Sequence, residues 1–396
     1  MNIPYQQLTE KEALKVYADW LLEQQIEEPA KFFKCIQNGK NSFEWYMIFY
    51  PIRTLLLAGK IFNEQKYIDP VIGYIDIYIS EQLPNGAFTS NYRQQPTTQL
   101  SKKEFHELLR CGKLNVADVG SNVMGIMQAA EFIDQKKHDE YLNSVRRWLD
   151  DWVPIWALND GGYGNGIWGG HKLNAPYTCG MSTVMMALSA FSLITGENEY
   201  IENAERCAEF QCGKWLDDGR PIFMNCYPKP FEQTLDDYSH SFYLLEGLCW
   251  THYVSKNKKI KNLIEKRLKE WIFGKKGLLS QWADSWFSFQ NPYRPSLDGE
   301  MDSSRRGLRL GWELAKSNGI PHTFLYYLNH IEDNPVLREK TELALKYLSN
   351  PLKARMSGVA TEPEESYGMF AVQSAGFAGL SLAEAIKKDS VFNLQT

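Results

Sequence analysis

Along this chain hydrophobic positions recur at three- and four-residue spacing far more often than in alternation, so nearly all the regular structure it predicts is helical. Thr9 and Glu12 form a capping-box pattern ahead of Leu14, Tyr17, Leu21 and Leu22, which share one helical face. The same periodicity predicts helices over 42–62, 67–82, 101–111, 119–135, 138–157, 177–195, 198–215, 236–254, 258–273, 300–317, 336–349 and 367–386. A strand-like period of two is hardly found.

The segments after every second helix add a larger period. Leu83-Pro84-Asn85-Gly86, Asn159-Asp160-Gly161-Gly162, Trp215 to Arg220, Gly274 to Leu279 and Met356 to Val359 each bring glycine to a chain reversal. Their spacing, about 55 to 80 residues, is the length of two helices with loops, and hairpins that cannot bury their faces alone must stack into a ring or solenoid. The expectation is an all-α, (α/α)6 toroid forming a single domain over 1–396.

Composition changes this picture in few places. Of 396 residues, 44% are hydrophobic and 23% charged, enough for a sizeable core and unlike a disordered chain. The 12 Trp, 21 Tyr and 20 Phe exceed what a minimal helical core needs, and such rings also stack on sugars or line cavities. A net charge of -5 argues against a nucleic-acid partner, and the longest basic run, Lys256 to Lys261, reads as a solvated helix start. No stretch reaches 18 consecutive apolar residues, so no membrane span is expected; Met1-Asn2-Ile3-Pro4 lacks a signal-peptide pattern. Seven scattered cysteines without CxxC pairs predict reduced thiols and a cytoplasmic location, and Cys207 and Cys212 lack the nearby histidines of a zinc site. No metal or cofactor is expected.

Tyr177-Thr178-Cys179-Gly180-Met181 through Ala187, followed by Leu193-Ile194-Thr195-Gly196-Glu197-Asn198-Glu199-Tyr200 and Ala204, resembles the repeat unit of the six-hairpin glycosidase-like proteins. In those families a small-residue inner helix ends in a Leu-x-x-Thr-Gly-x-x-x-Tyr turn that opens the outer helix. Asp236 to His240 through Glu246-Gly247-Leu248 is similar to a second inner helix, and Asp298 to Asp302 through Arg309-Leu310 loosely to a third. The resemblance implies a toroid; glycoside hydrolases, sugar epimerases, polysaccharide lyases and terpenoid cyclases share it, so the fold alone does not choose an activity.

Inner helices present their N-terminal ends and preceding loops at one mouth of such a ring, which directs attention to three loops. In the first, glycines surround Asp160, Tyr163, Trp168 and His171, so backbone can approach a ligand while Trp168 offers a stacking face; the plain alternative is a flexible connection. In the second, Asp236 and Asp237 stand four and three residues before His240, where one carboxylate can cap the helix and the other can work with the imidazole. In the third, Asp298, Arg305 and Arg306 follow Trp282 and Trp286, a set suited to sugar hydroxyls or a carboxylate, or to an ordinary capped helix with surface ion pairs. Asp118, Tyr92-Arg93 and Glu365-Tyr367 occupy comparable positions singly.

The sequence has no phosphate-binding loop, Gly-x-Ser-x-Gly elbow or His-Glu-x-x-His zinc helix, which removes kinase, serine-esterase and zinc-protease readings. The leading expectation is a carbohydrate-active enzyme taking an oligosaccharide or small sugar, most simply by hydrolysis. Asp237 and Asp160 would be its acid and base, assisted by His240 and Tyr163, with Trp168, His171, Asp236, Trp282, Trp286, Asp298, Arg305 and Arg306 binding substrate. Uronate epimerisation or elimination, terpenoid cyclisation, and glycan binding without catalysis remain open.

Overall fold

The computed structural model of the protein describes residues 7–23, 46–90, 96–213, 222–223, 234–235, 238–268, 318–350 and 367–394. Among them lie α1 (Glu10–Glu23), α2 (Tyr46–Phe62), α3 (Asp69–Ser80), α4 (Lys102–Cys111), α5 (Val116–Ala129), α6 (Gln135–Arg147) and α7 (Thr178–Thr195). Then come α8 (Asn198–Cys212), α9 (Tyr238–Ser255), α10 (Lys258–Lys266), α11 (Ile320–His330), α12 (Pro335–Leu348) and α13 (Tyr367–Ile386).

Two kinds of helix alternate. Helices α5 and α7 are apolar or small on every side and buried nearly throughout, as helices packed on two flanks must be, whereas α6 and α10 carry a charged face and a narrow apolar stripe. The all-round buried helices form an inner ring, α2 against α5, α5 against α7, α7 against α9, α9 against α11, α11 against α13, and α13 back against α2. Helices α3, α6, α8, α10 and α12 follow their inner partners around the outside, and α1 packs on α13 to complete the sixth hairpin. This is the (α/α)6 toroid the periodicity predicts.

Close approach within the ring depends on small residues. A Cβ on Gly247 of α9 would stand 2.9 Å from the Ser182 carbonyl of α7, and one on Gly376 of α13 would strike the backbone of Pro51 in α2. Helix α7 is long and apolar enough to cross a membrane by length and composition, which the test of unbroken apolar runs does not detect; here 83% of it is buried as an inner helix.

The two rims differ. Inner helices pass to outer ones through tight turns, with left-handed residues directly after α2, α7 and α9: Asn63 at φ 54°, Gly196 at 75° and Lys256 at 54°. Gly196 is the turn the repeat resemblance marks. The return from each outer helix to the next inner one is long, over 81–115, 148–177, 213–237, 267–319 and 349–366. The described connections, over 81–90, 96–115 and 148–177, lead into the N-terminal ends of inner helices, the mouth of the ring.

Several boundaries depart from the periodicity. The predicted 138–157 helix keeps α geometry only to Arg147, then passes through a π turn over Trp148–Trp152 and a 3-10 turn over Val153–Trp156. The predicted 119–135 helix starts earlier, at Val116, and closes in a 3-10 turn over Ala130–Phe132. Helix α11 has no counterpart in the periodic pattern; Pro321 sits in its first turn, where its missing N–H costs nothing.

Candidate functional site

The first loop singled out by sequence is a β-hairpin docked on the mouth. Strands β1 (Leu114–Asn115), β2 (Gly166–Trp168) and β3 (His171–Leu173) form an antiparallel sheet in that order, with Trp168 opposite His171 and Asn115 opposite Gly166. Gly169 and Gly170 make the two-residue turn at φ 56° and 87°, the geometry of a type I′ hairpin. β1 runs directly into α5, and the hairpin is tied there too: Val116 N–H donates to the Asn165 carbonyl, and Ala117 N–H to Asn165 Oδ1 at 3.0 Å. Sequence reasoning missed Asn165, whose side chain satisfies a free donor of the α5 N-terminus.

Alternation assigns residues to the sheet's two faces. Leu114 and Ile167 are buried against the core. Lys113, Trp168 and His171 form a cross-strand row on the opposite face: the Lys113 ammonium lies 4.4 Å from the centre of the Trp168 ring, Trp168 is half-buried and His171 exposed. Asn115 shares that face and reaches the first turn of α5. Its Oδ1 accepts from Asp118 N–H at 2.8 Å, and its Nδ2 donates to Asp118 Oδ2 at 2.5 Å. Asp118 is thus held half-buried at the mouth, and Gly166, opposite Asn115 at φ 76°, lets β2 lie close against β1, since a Cβ there would strike the Leu114 carbonyl.

Below this layer the ring interior becomes aromatic and then charged. Tyr243 of α9 is buried, and its hydroxyl is pushed well above the usual tyrosine range by burial and then by Cys179, Asp118 and Glu246, which surround it. Tyr50 of α2 packs 6.1 Å from the Tyr243 ring and 4.2 Å from Phe377, and donates to Glu246 Oε2 at 3.3 Å. Glu246, halfway along α9, is fully buried. Arg53 Nη2 lies 2.9 Å from its Oε1, and His322 Nε2 of α11 lies 3.8 Å from the same oxygen. Burial holds the His322 imidazole down to about 4 against the opposing pull of Glu246. No group of three or more His, Cys, Asp or Glu side chains suited to a metal is found among the described residues.

The residues singled out by sequence are distributed unevenly. Trp168 and His171 share the sheet face at the mouth. Asp160 is exposed in a tight turn where Gly161, at φ 96°, lies against the Arg206 carbonyl of outer helix α8. Tyr163 is 8% exposed and packs in the core, its hydroxyl raised by burial and by Cys207 of α8. His240 lies in the first turn of α9. Asp236, Asp237, Trp282, Trp286, Asp298, Arg305 and Arg306 lie outside the described residues. Lys113, Asn115 and Tyr243 were not read as functional from sequence; Lys113 precedes a two-residue strand with no periodic signal, and Tyr243 is one aromatic among many. A separate groove of about 710 Å³ opens outside the ring between α3 and α6, lined by Gln82, Pro84, Lys136, Asp139 and Arg147.

No family model matches the sequence, and no curated protein matches it. Solved structures do match along nearly the whole chain. A family 76 glycoside hydrolase from a bovine Bacteroides thetaiotaomicron strain is 12% identical, with a TM-score of 0.63 over 95% of this chain and 78% of that one. An inactive α-1,6-mannanase variant from a Salegentibacter species, two adjacent aspartates replaced by alanine and α-1,6-mannotetrose bound, is 10% identical, with a TM-score of 0.56 over 94% and 100%. Unsaturated glucuronyl hydrolase from a Bacillus species is 10% identical, with a TM-score of 0.57 over 96% of both chains. The ring order, the alternation of inner and outer helices and these likenesses together give the chain the (α/α)6 toroid fold of the six-hairpin glycosidases.

Proposed function

We propose that this protein is a glycoside hydrolase whose substrate enters at the N-terminal mouth and whose acid and base are Asp118 and Asp237. The observation that carries the reading is the placement of Asp118: a half-buried carboxylate at the first turn of an inner helix, oriented by Asn115, whose strand position shares a sheet face with Trp168. Two residues along β2 separate Trp168 from the Gly166–Asn115 pair, about 7 Å at strand rise, a distance one sugar ring can bridge. Hydrolysis needs a second carboxylate across the scissile bond, one protonating the leaving oxygen while the other activates water or attacks the anomeric carbon.

Asp237 suits that role by its position in the chain, immediately before α9, the helix that carries Tyr243 toward Asp118. It is also half of an adjacent aspartate pair with Asp236, as in the mannanase whose inactive variant lacks two adjacent aspartates. Asp160 is less suited, because its turn is backed by outer helix α8.

The test is chromatography after incubation with α-1,6-mannotetrose and, separately, with uronate-containing oligosaccharides. New reducing ends without new unsaturation support hydrolysis. An unsaturated product would assign a lyase, and unchanged length with altered stereochemistry an epimerase or isomerase. Absence of any product on both substrate classes would leave the glycan-binding reading as the better one.

A further inference from the structure

We propose that Tyr50 is a positioning residue for the reaction at the mouth: its hydroxyl ties α9 to α2 and α5 through Glu246, and so fixes the spacing of the two carboxylates assigned as acid and base. This rests on the hydrolase reading and deepens it, since Tyr50 is fully buried and acts through other groups.

Ring order sets the problem. The inner helices follow one another as α2, α5, α7, α9, α11 and α13, so α5 and α9 are not neighbours and α7 stands between them. Asp118, in the first turn of α5, and Asp237, immediately before α9, therefore share no helix interface that would hold their separation. Hydrolysis by two carboxylates depends on that separation, about 5 to 5.5 Å for a covalent route and about 6.5 to 9.5 Å where water must fit between them. A contact through the ring interior has to supply what the wall does not.

Tyr50 makes that contact. Helices α2 and α9 occupy opposite places in the ring, yet their side chains meet inside it. Tyr50 Oη donates to Glu246 Oε2 at 3.3 Å, and Arg53 Nη2, one turn along α2, lies 2.9 Å from Glu246 Oε1. The Tyr50 ring packs 6.1 Å from that of Tyr243, one turn before Glu246, and 4.2 Å from Phe377 of α13. On the other side, Ser121 of α5, one turn after Asp118 and on the same face, stands beside the Tyr50 hydroxyl. The Arg53 ion pair holds Glu246, and the Tyr50 hydroxyl passes that position on to α5. Burial, and then the charge of Glu246, pushes this hydroxyl well above the usual tyrosine range, so it stays a donor wherever carboxylates titrate. The brace lies deeper in the ring than either carboxylate and sets both from below.

Steady-state release of reducing ends by the full chain from pH 4 to 8 tests this, on whichever of α-1,6-mannotetrose and the uronate-containing oligosaccharides the wild type cleaves. Tyr50→Phe keeps the packing on Tyr243 and Phe377 and deletes only the hydroxyl. It should lower kcat about ten- to a hundredfold with KM within about twofold, because a misplacement near 1 Å acts on the chemical step. The limbs of its pH profile, which report the coupled carboxylates, should move as well. Ser121→Ala, a milder change on the α5 side of the hydroxyl, should act in the same direction. Val145→Ala opens a cavity behind outer helix α6, so it should lower the urea midpoint and leave kcat and both limbs at wild type. An unchanged kcat in Tyr50→Phe, a change confined to KM, limbs that stay in place, or an equal fall in Val145→Ala would each overturn the proposal. A wild type inert on both substrate classes would sink the hydrolase reading and this one with it, whereas an active wild type matched by Tyr50→Phe would sink this one alone.

Discussion

Asp118 and Glu246 are both carboxylates on inner helices of one ring, yet their surroundings separate them. Glu246 is fully buried, with Arg53 at 2.9 Å, Tyr50 at 3.3 Å and His322 at 3.8 Å, so its charge is consumed inside the protein. Asp118 is half-buried and oriented by Asn115 in the first turn of α5, where β1 of the hairpin sheet enters the helix. The first arrangement joins α2, α9 and α11 at the middle of the ring; the second sets a carboxylate at the N-terminal end of an inner helix. Residue type does not distinguish these two acids; depth along the ring axis does, and the one at the mouth is the one proposed for chemistry.

The comparison can be broken most forcefully at the buried end. Glu246→Ala leaves Arg53 charged in an apolar interior, and removing one partner of such a pair costs about 3–5 kcal/mol. Denaturant unfolding should show a loss of that size, and a loss below about 1 kcal/mol would mean that water reaches the pair.

The pH dependence comes next. His322 and His252 are both held down to about 4 by burial, so below their ordinary value near 6.5 the unfolded chain binds protons that the folded chain refuses. Their contribution is complete above pH 6.5 and is lost as pH falls toward 4, by up to about 3 kcal/mol for His322. Glu384 acts in the opposite sense. Burial raises it to about 7 although Asp389 and Val391 N–H groups donate to it at 2.7 and 3.0 Å, so it penalises the fold progressively as pH rises from about 4.5 through 7. The two windows overlap and two histidines outweigh one carboxylate, so urea midpoints should rise from pH 4 to about 7 and then level off. Glu384→Gln should steepen that rise.

At the mouth the same measurements should show little. Trp168→Ala and Lys113→Gln remove a half-exposed cation–π pair, worth about 0.5–1 kcal/mol. A larger loss would assign the hairpin a structural role in place of a binding one.

How far these features were legible varies with the physics behind them. Thr9 and Glu12 were readable as a capping box because a cap is local, and the carboxylate does bond the Thr9 N–H at 2.9 Å. Gly196 was readable as a repeat turn because only a left-handed residue closes that helix so tightly. Helix α13, Tyr367–Ile386, has the bounds its periodicity predicts. The mouth was found only to the level of its loop: Trp168 and His171 share a face, but the pairing that brings Lys113 to Trp168 spans residues 113 and 168 and leaves no trace in either local pattern. Tyr163 reads like a pocket residue beside its glycines and is buried in the core instead, because the same turn that exposes Asp160 folds it inward. The Arg53–Glu246 pair was invisible for a related reason, since two charges on apolar helices disclose their pairing only once the ring closes.

The central claim is that the carboxylate at the mouth performs chemistry, and release of reducing ends by wild type and Asp118→Asn on the same oligosaccharide tests it most directly. Positioned acid or base catalysis is worth about 10²–10⁴-fold, so the variant should lose activity on that scale while its urea midpoint stays near wild type. Wild-type activity that survives Asp118→Asn within a few-fold would contradict the account, and would move the chemistry to a different carboxylate of the ring.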